Sequence, residues 1–269
     1  MGQIDQLWFE KIISLLLPMK KTIVLFTFTL AAFCYPSNPA WADPADYVKM
    51  PAIEYGEREL ETKYGTSKLA NGEGRISAGT FGVGYGVSPF WFTEVYVKYQ
   101  KTPNERTRFD AVEWENKFLL TETGKYPVDV GLFVELEVPR DRNEGFEFRF
   151  GPLLQTEFGR MQVNTNFFLK RQVRAGAGSD PQVTEFHYQL QAKYRLMREF
   201  EYGVQAFGEL GKWNHWDSRD QQNHRIGPAI FGKFPLEGKQ AIRYDAAWLF
   251  GVSKAAPDST LRVQMEYEF

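Results

Sequence analysis

Charged side chains of opposite sign recur two positions apart along this chain of 269 residues. Glu115 precedes Lys117 and Glu147 precedes Arg149, in each case with one residue between them. In an extended strand, residues i and i+2 point to the same face, so both members of such a pair share one surface. Two kinds of chemistry fit that surface: an ion-paired core that only stabilises the fold, or a charged, water-filled passage that selects solutes.

The candidate residues for this charged surface are spread along most of the chain. They are Glu94, Lys98, Glu113, Glu115, Lys117, Glu147, Arg149, Glu185, His187, Lys193, Arg195, Arg243, Asp245, Arg262 and Glu266. Acidic residues slightly outnumber basic ones in the whole chain, 34 against 32, and they also outnumber basic ones at the inward positions of the predicted strands. A passage lined by those positions is expected to prefer cations or uncharged solutes. The same balance gives no indication of nucleic-acid binding, which needs a basic surface.

The three histidines are the residues to consider for hydrolysis or metal binding. His187 falls on the charged surface, whereas His215 and His224 flank a segment that contains Asp217 and Ser218. Hydrolysis would need a serine, a histidine and an acid in mutual contact. The histidine spacing matches no zinc-ligand pattern, and the sequence predicts no metal, no cofactor and no enzymatic activity.

The elements that must carry these residues are β-strands. In residues 260–269, apolar Leu261 and Tyr267 alternate with polar Arg262 and Glu266. This period of two predicts a strand with one apolar and one polar face. Similar alternation is found in residues 128–138, 146–158, 184–196 and 241–252.

Alternating segments recur from residue 53 to the end of the chain and predict twelve strands, or ten or fourteen if one hairpin is merged or split. Short connections, such as residues 159–160, alternate with longer ones, such as residues 213–223. This asymmetry is typical of transmembrane barrels, and lipid tolerates strands only in a closed barrel. The sequence therefore predicts an all-β protein, a closed antiparallel up-and-down transmembrane β-barrel.

Residues 1–42 have the features of a signal peptide. Met19 begins a basic stretch, an apolar stretch follows, and Ala42 ends a small-residue cleavage motif. We therefore expect translation to start at Met19 and cleavage to follow Ala42. Residues 43–52 are expected to form a periplasmic lead-in to a barrel of residues 53–269.

Aromatic residues gather at the short connections, as in the aromatic girdles of transmembrane barrels. They are Phe90, Trp91, Phe92, Tyr126, Phe158, Phe200, Tyr202, Phe234, Tyr267 and Phe269. A second group lies near the longer connections and comprises Tyr64, Tyr99, Phe146 and Trp213. The pattern predicts one girdle at each membrane interface.

An alternating final strand that ends on Phe269, together with the leader and the unequal connections, resembles small porin-like β-barrels of the Gram-negative outer membrane. The resemblance implies an outer-membrane location, lipid contact and both termini in the periplasm. It also implies that Tyr267 and Phe269 form the signal recognised by the barrel-assembly machinery. Twelve-stranded channels for acidic sugars are similar in size, but their lumens are strongly basic, so this likeness covers architecture and not substrate.

The expected function is a narrow channel for small solutes, with a lumen of mixed charge that is slightly acidic. Two alternatives stay open from the sequence. One is a closed structural or surface-binding barrel with an ion-paired core. The other is an outer-membrane lipid-modifying enzyme.

Overall fold

The structure is a computed structural model that describes residues 43–174 and 183–269. The predicted signal peptide, residues 1–42, lies outside the described residues. Within them the chain forms twelve strands and two short 3-10 turns, Ala70–Gly72 and Arg142–Glu144. The strands are β1 (Arg58–Lys68), β2 (Arg75–Ser88), β3 (Trp91–Lys101), β4 (Arg108–Leu119), β5 (Asp129–Pro139), β6 (Phe146–Phe158), β7 (Met161–Val173), β8 (Thr184–Met197), β9 (Phe200–Lys212), β10 (Asn223–Pro235), β11 (Ala241–Gly251) and β12 (Ser259–Glu268).

These strands close into one antiparallel barrel. Each strand pairs with its neighbours in the chain, and β1 pairs with β12 from Glu59 opposite Glu268 to Lys68 opposite Ser259. Closure leaves no unpaired strand edge. The prediction of an all-β, twelve-stranded, closed up-and-down barrel is confirmed. No helix among the described residues is long and apolar enough to cross a membrane.

The two ends of the barrel differ in their connections. Residues 89–90, 159–160 and 198–199 are the tightest links, and all three follow even-numbered strands. Residues 102–107 and 213–222 follow odd-numbered strands and are longer. We call the end with the links after even-numbered strands the short-turn end and the opposite end the long-loop end. The nine-residue link between β4 and β5 is the one long connection at the short-turn end.

Strand β1 begins four residues later than the alternation predicts. The pattern places its start at Glu54, but the structure has a turn there, with Gly56 at φ +79°. The Gly56 amide donates a 2.9 Å hydrogen bond to the Gly86 carbonyl. Because glycine adopts positive φ readily, the chain reverses at this point, and the wall of the barrel starts at Arg58.

Apolar side chains point outward and polar side chains point inward. In β2, Phe81 and Val83 are 55% and 51% exposed, whereas Glu61 and Glu94 inside the barrel are 2% exposed. This arrangement is the inverse of a soluble protein and is the one that lipid requires. A few apolar side chains lie inside as well, among them the cluster of Phe133, Leu153 and Phe168.

Aromatic residues lie on the outer surface at both ends of the barrel, as predicted for the girdles, except that Phe92 does not belong to them. Phe90 and Phe158 at the short-turn end are 62% and 68% exposed, and Trp213 at the long-loop end is 55% exposed. Phe92, however, is only 2% exposed and points into the barrel. Consecutive residues of a strand face opposite sides, so Trp91 and Phe92 cannot both belong to the girdle.

Candidate functional site: the barrel interior

Residues 43–52, which we call the inner segment, run through the middle of the barrel. The sequence predicts a periplasmic lead-in here, but the structure has the segment inside the wall of strands. Asp43 lies in the long-loop half, with a carboxylate oxygen 2.9 Å from Lys98 Nζ. At its other end the segment leads to Gly56 and the short-turn end. Its polar side chains fit inside because the lumen supplies partners for them.

Lys49 is the centre of these contacts. Its Nζ lies 2.5 Å from both carboxylate oxygens of Glu115 in β4, and both side chains are 1% exposed. The Tyr47 hydroxyl donates a 3.2 Å hydrogen bond to the same carboxylate. Lys49 Nζ also lies 3.8 Å from the centroid of the Tyr47 ring, where a cation is attracted electrostatically.

Asp46 ties the inner segment to opposite walls. Gln189 Nε2 in β8 donates to both carboxylate oxygens of Asp46, at 3.0 and 3.1 Å. Arg149 Nη1 in β6 lies 3.4 Å from this carboxylate. Arg262 Nη1 in β12 donates a 2.6 Å hydrogen bond to the backbone carbonyl of Asp46. The segment is therefore held by side chains from around the barrel.

A cavity of about 140 Å³ lies on the long-loop side of the inner segment. Nine acidic side chains line it: Asp43, Asp46, Glu113, Glu115, Glu135, Glu137, Glu147, Glu185 and Glu209. The lysines and arginines are Lys49, Lys63, Lys98, Arg149 and Lys170. Lys98 Nζ contacts three of these carboxylates: it lies 2.9 Å from Asp43, 3.2 Å from Glu113 and 3.1 Å from Glu137. A cavity with this acidic surplus attracts cations.

A larger cavity, of about 360 Å³, lies on the short-turn side. Its seven acidic residues are Glu57, Glu59, Glu61, Glu94, Glu201, Asp245 and Glu266, and its seven basic residues are Lys49, Lys117, Lys193, Arg195, Arg198, Lys233 and Arg243. Carboxylate oxygens of Glu59, Glu61 and Glu94 lie within 4.8 Å of one another, as do those of Glu57, Glu266 and Glu268. The formal charges balance, but the carboxylates are gathered near β1.

Glu57, just before β1, has a strongly perturbed carboxyl. Burial, and then the negative charges of Glu268 and Glu266, raise the pKa of Glu57 to about 7, although Arg243 opposes the shift. The Glu57 carboxyl therefore gains and loses its proton close to neutral pH.

Comparison with known proteins bears on the fold. No family model matches the sequence, and no curated protein sequence matches it. Among solved structures, the NanC porin is 10% identical, with 78% of this chain and 98% of that chain covered and a TM-score of 0.53. The COG4313 outer membrane channel from Pseudomonas putida F1 is 13% identical, with 84% and 98% covered and a TM-score of 0.55.

This chain has the fold of outer-membrane channels. At such low identity the likeness concerns the fold alone, so the side chains of this barrel must carry any argument about its solute.

The structure places the sequence-predicted lumen residues on the two cavities. The short-turn cavity is lined by Glu94, Lys117, Lys193, Arg195, Arg243, Asp245 and Glu266. The long-loop cavity is lined by Lys98, Glu113, Glu115, Glu147, Arg149, Glu185 and His187. Arg262 lies between them, where its Nη2 donates to Gln205 at 2.6 Å and its guanidinium contacts Asp245 at 2.9 Å.

Most ion pairs inside the barrel join neighbouring strands and not residues two apart on one strand, although Glu61 with Lys63 and Glu185 with His187 are exceptions. Glu94 is 3.3 Å from Lys117 on the adjacent strand, and Arg149 is 2.6 Å from Glu135 on the adjacent strand. Glu147 likewise contacts Lys170 across β6 and β7, at 3.0 Å. Arg149 lies directly opposite Glu135, whereas Lys117 and Lys170 are each two positions away from the residue directly opposite their partner. Long side chains at such diagonal positions on neighbouring strands still reach one another, so the pairing depends on strand register.

The histidines occupy three different surroundings. His187 Nε2 lies 3.2 Å from Glu185 inside the barrel. His224 faces outward, with Nδ1 3.0 Å from the Tyr188 hydroxyl and Nε2 2.7 Å from Gln222 Oε1. His215 lies in the exposed loop between β9 and β10. In the part of the chain that the structure describes, no serine hydroxyl hydrogen-bonds to a histidine ring.

Sequence reasoning missed a set of buried amides. The interior of β6 to β9 is lined by Gln155, Gln162, Asn164, Asn166, Gln189, Gln191 and Gln205, each at most 6% exposed. Gln162 Nε2 donates to Gln155 at 3.0 Å and to Asn164 at 2.8 Å, and Asn166 Nδ2 donates to the Lys49 carbonyl at 2.8 Å. These amides lie at alternate positions of their strands, and this spacing indicates that they face the lumen. An interpretation based on charged residues alone does not include them.

The predicted assembly residues lie outside the lumen, at the short-turn end. The rings of Tyr267 and Phe269 stack with centroids 5.5 Å apart and an interplanar angle of 18°. The Phe269 amide donates to the Arg58 carbonyl at 2.8 Å. The carboxy-terminal residue is thus joined to the start of β1, where the barrel closes.

Proposed function

We propose that this protein is an outer-membrane channel for small solutes, with a preference for cations and uncharged molecules over anions. The observation that carries the proposal is the long-loop cavity, in which nine carboxylates outweigh five lysines and arginines. Charged rings of one sign select ions of the other sign in narrow pores. The fold, which is shared with outer-membrane channels, supports the same function.

The inner segment limits what can pass. Twelve strands enclose a lumen between that of eight-stranded barrels, which side chains fill, and that of sixteen-stranded porins, which hold an open channel. Here the segment lies between a cavity of about 140 Å³ and one of about 360 Å³. The route is therefore suited to ions and small organic molecules rather than to oligosaccharides.

The orientation follows from the connections. Outer-membrane barrels place short turns in the periplasm and longer loops outside, so the short-turn end, with Phe269, is proposed to face the periplasm. Outer-membrane lipid then surrounds the apolar face, and the barrel-assembly machinery is the proposed partner in insertion. If cleavage follows Ala42, the new amino-terminus at Asp43 starts inside the barrel, which revises the expectation that both termini lie in the periplasm.

The test is ion conduction in planar lipid bilayers under a gradient of potassium chloride. We expect small single-channel steps and a reversal potential of the sign that indicates cation preference. The variant E113Q/E137Q removes two carboxylates around Lys98 and is expected to lower that preference. The variant E73Q/E237Q removes two exposed carboxylates and serves as the control. Anion preference in the natural protein would contradict the proposal.

A closed structural barrel is the second candidate, and one observation favours it. Lys49 and Glu115 are both 1% exposed, which shows that the middle of the lumen is tightly filled. Silence in bilayers, from protein that still shows the heat-modifiable gel migration of a folded barrel, would support this candidate and reject the channel.

We assign no catalytic role to the barrel. His224 is oriented by Tyr188 and Gln222 rather than by a serine and an acid. Lipase and deacylase assays on detergent-purified protein, with His224→Ala as the control, are expected to show no activity that depends on this histidine. Activity lost in the variant would restore the lipid-modifying alternative.

A further inference from the structure

The short-turn cavity has the size of a ligand site. Its volume of about 360 Å³ lies within the range of small-molecule sites, roughly 300 to 1,000 Å³. It is bounded by Tyr47 and Met50 of the inner segment and by inward side chains of the strands. It opens toward the short-turn end, where Glu57 and Arg198 line it.

Two carboxylates on this cavity have no basic partner. Within residues 43–174 and 183–269, no lysine, arginine or histidine nitrogen lies within 4.0 Å of the Glu57 or Glu59 carboxyl group. The Glu59 carboxyl instead hydrogen-bonds to the Glu94 carboxyl, a contact that requires a shared proton. Glu59 is nevertheless 5% exposed. Ionising carboxyl groups in a buried site without a basic partner carries a large desolvation cost, and a cation entering the cavity would offset that cost.

The neighbouring carboxylates also retain capacity to accept hydrogen bonds. Glu61 Oε1 and Glu94 Oε2 are buried and have no hydrogen-bond partner. The lysine nitrogens beside them are at 3.6 Å, from Lys63, and at 3.3 Å, from Lys117. The Tyr96 hydroxyl lies within hydrogen-bond distance of the other oxygen of each carboxylate, and its single proton can be donated to only one of them at a time. These two carboxylate oxygens can therefore accept hydrogen bonds from a ligand in the cavity.

Aromatic rings line the same cavity and already hold cations. Lys117 Nζ lies 4.3 Å from the centroid of Phe92, and Lys193 Nζ lies 5.4 Å from the centroid of Phe231. The negative face of an aromatic ring attracts ammonium groups and is the usual means of recognising quaternary ammonium ions. Carboxylates and rings together are suited to a cation that carries an apolar body.

The surroundings disfavour other classes of ligand. Among the described residues, six of the seven basic side chains of the cavity form ion pairs, all except Arg198 at the short-turn end. Lys193, for example, lies 2.7 Å from Glu201, and Arg243 lies 2.6 Å from Glu268. An anion would have to displace those carboxylates. A divalent metal would bring its charge close to Lys63 and Lys117, which flank the carboxylate trio. A single positive charge spread over an organic ammonium group displaces no carboxylate and is repelled less by these lysines than a divalent ion is.

We propose that the short-turn cavity is a binding site for small organic ammonium ions, with Glu57 and Glu59 receiving the charge and Phe92 contacting the alkyl groups. The inference rests on the proposed channel function in one respect, namely that solutes enter the cavity through the barrel. It deepens that function by naming the class of solute. The binding itself can be measured without conduction.

The test is isothermal titration of the full protein in detergent at pH 8 with choline chloride as the probe. Its neutral isostere 3,3-dimethylbutan-1-ol and sodium chloride at equal ionic strength are the reference titrants. Of the three titrants, we expect only choline to bind. Because a hydrogen bond or contact to a charged group contributes substantially, Glu59→Gln is expected to weaken binding about tenfold. Phe92→Leu is expected to weaken it less.

The control variant is Glu237→Gln, an exposed change in the turn between β10 and β11, which is expected to leave choline binding unchanged. Gel migration with and without heating checks that each variant is folded, and Glu57→Gln replaces Glu59→Gln if the latter does not fold. Equal binding of choline and the neutral alcohol overturns the proposal, as does unchanged binding in the glutamate variant.

The two proposals fail in distinguishable ways. Conduction without choline binding rejects the ammonium site and keeps the channel. Choline binding that depends on Glu59, in a barrel that never conducts, keeps the site and rejects the channel.

Discussion

The Lys49 ammonium lies 2.5 Å from both oxygens of the Glu115 carboxylate, in surroundings where each side chain is 1% exposed. The contact joins the inner segment to β4 and bridges 66 positions of sequence. Neither charge can be screened by water, so each depends on the other. The position of the inner segment, and with it the width of the lumen, rests on this pair more than on any exposed contact.

Removing one member of the pair is expected to destabilise the protein. Lys49→Met leaves the Glu115 carboxylate buried without its main partner, which costs about 3–5 kcal/mol in comparable buried pairs. The double variant K49M/E115M removes both charges and is expected to recover most of that loss. The measurement is the temperature at which heat-modifiable gel migration is lost.

The matched control is Lys68→Met. It breaks an exposed pair with Asp258, which contributes at most about 1 kcal/mol. A Lys49→Met variant that is as stable as the natural protein would contradict this account.

Gly65 sets how closely the inner segment approaches the wall. A Cβ atom at this position would lie 1.9 Å from the Pro44 carbonyl oxygen, so Gly65→Ala is expected to displace the segment. Displacement would expose the backbone after Lys49 to trypsin and would increase conductance. Mass spectrometry of the cleavage products detects the first effect. In Gly79→Ala the nearest atom is at 3.4 Å, and this control is expected to behave as the natural protein does. Protection of Lys49 in both variants would show that the close approach can be relieved in another way.

The Glu57 carboxyl predicts a dependence of stability on pH. Its pKa is raised to about 7 by burial and by Glu268 and Glu266, with Arg243 and Glu54 as the other charged neighbours. Between the ordinary pKa of 4.5 and about 7, the native state holds this proton more tightly than the unfolded state does. Stability from this group is therefore present below that window and falls as the pH rises through it.

Glu57→Gln removes the titrating proton and is expected to flatten the decline. The measurement is the thermal transition in detergent at pH 5 and pH 8, compared between the natural protein and the variant. The same ionisation favours choline binding at the higher pH, so affinity and stability are expected to change in opposite directions. A variant whose stability falls with pH as steeply as that of the natural protein would assign the effect to other groups.

Deleting Phe269 is expected to impair assembly far more than conduction. Its ring stacks on Tyr267, and its amide bonds to the Arg58 carbonyl at the seam where the barrel closes. We expect severalfold less folded protein in the outer membrane, with single channels of normal size from the molecules that do insert. Phe158→Ala changes another exposed aromatic residue at the same end and is the control. Normal insertion of the deletion variant would remove the residue from the assembly signal.

Much of the barrel wall could be predicted from the sequence by itself. In a strand, alternate side chains take opposite faces, so period-two alternation identified both the strands and the inward position of residues such as Glu94 and Arg262. The error at Phe92 arose where aromatic composition was given more weight than this alternation. The alternation also predicts too early a start for β1, because Gly56 turns the chain within a stretch that otherwise has the pattern of a strand.

The interior arrangement was decided only by the tertiary structure. Lys117 pairs with Glu94 and not with Glu115 of its own strand. Strand register, which no local pattern encodes, sets Glu94 directly opposite Glu115 and so within diagonal reach of Lys117. The inner segment has no alternation at all. Its place in the lumen depends on partners such as Glu115 and Gln189, far along the chain. Local periodicity determines faces, whereas closure of the barrel determines neighbours, and the candidate sites of this protein are made by neighbours.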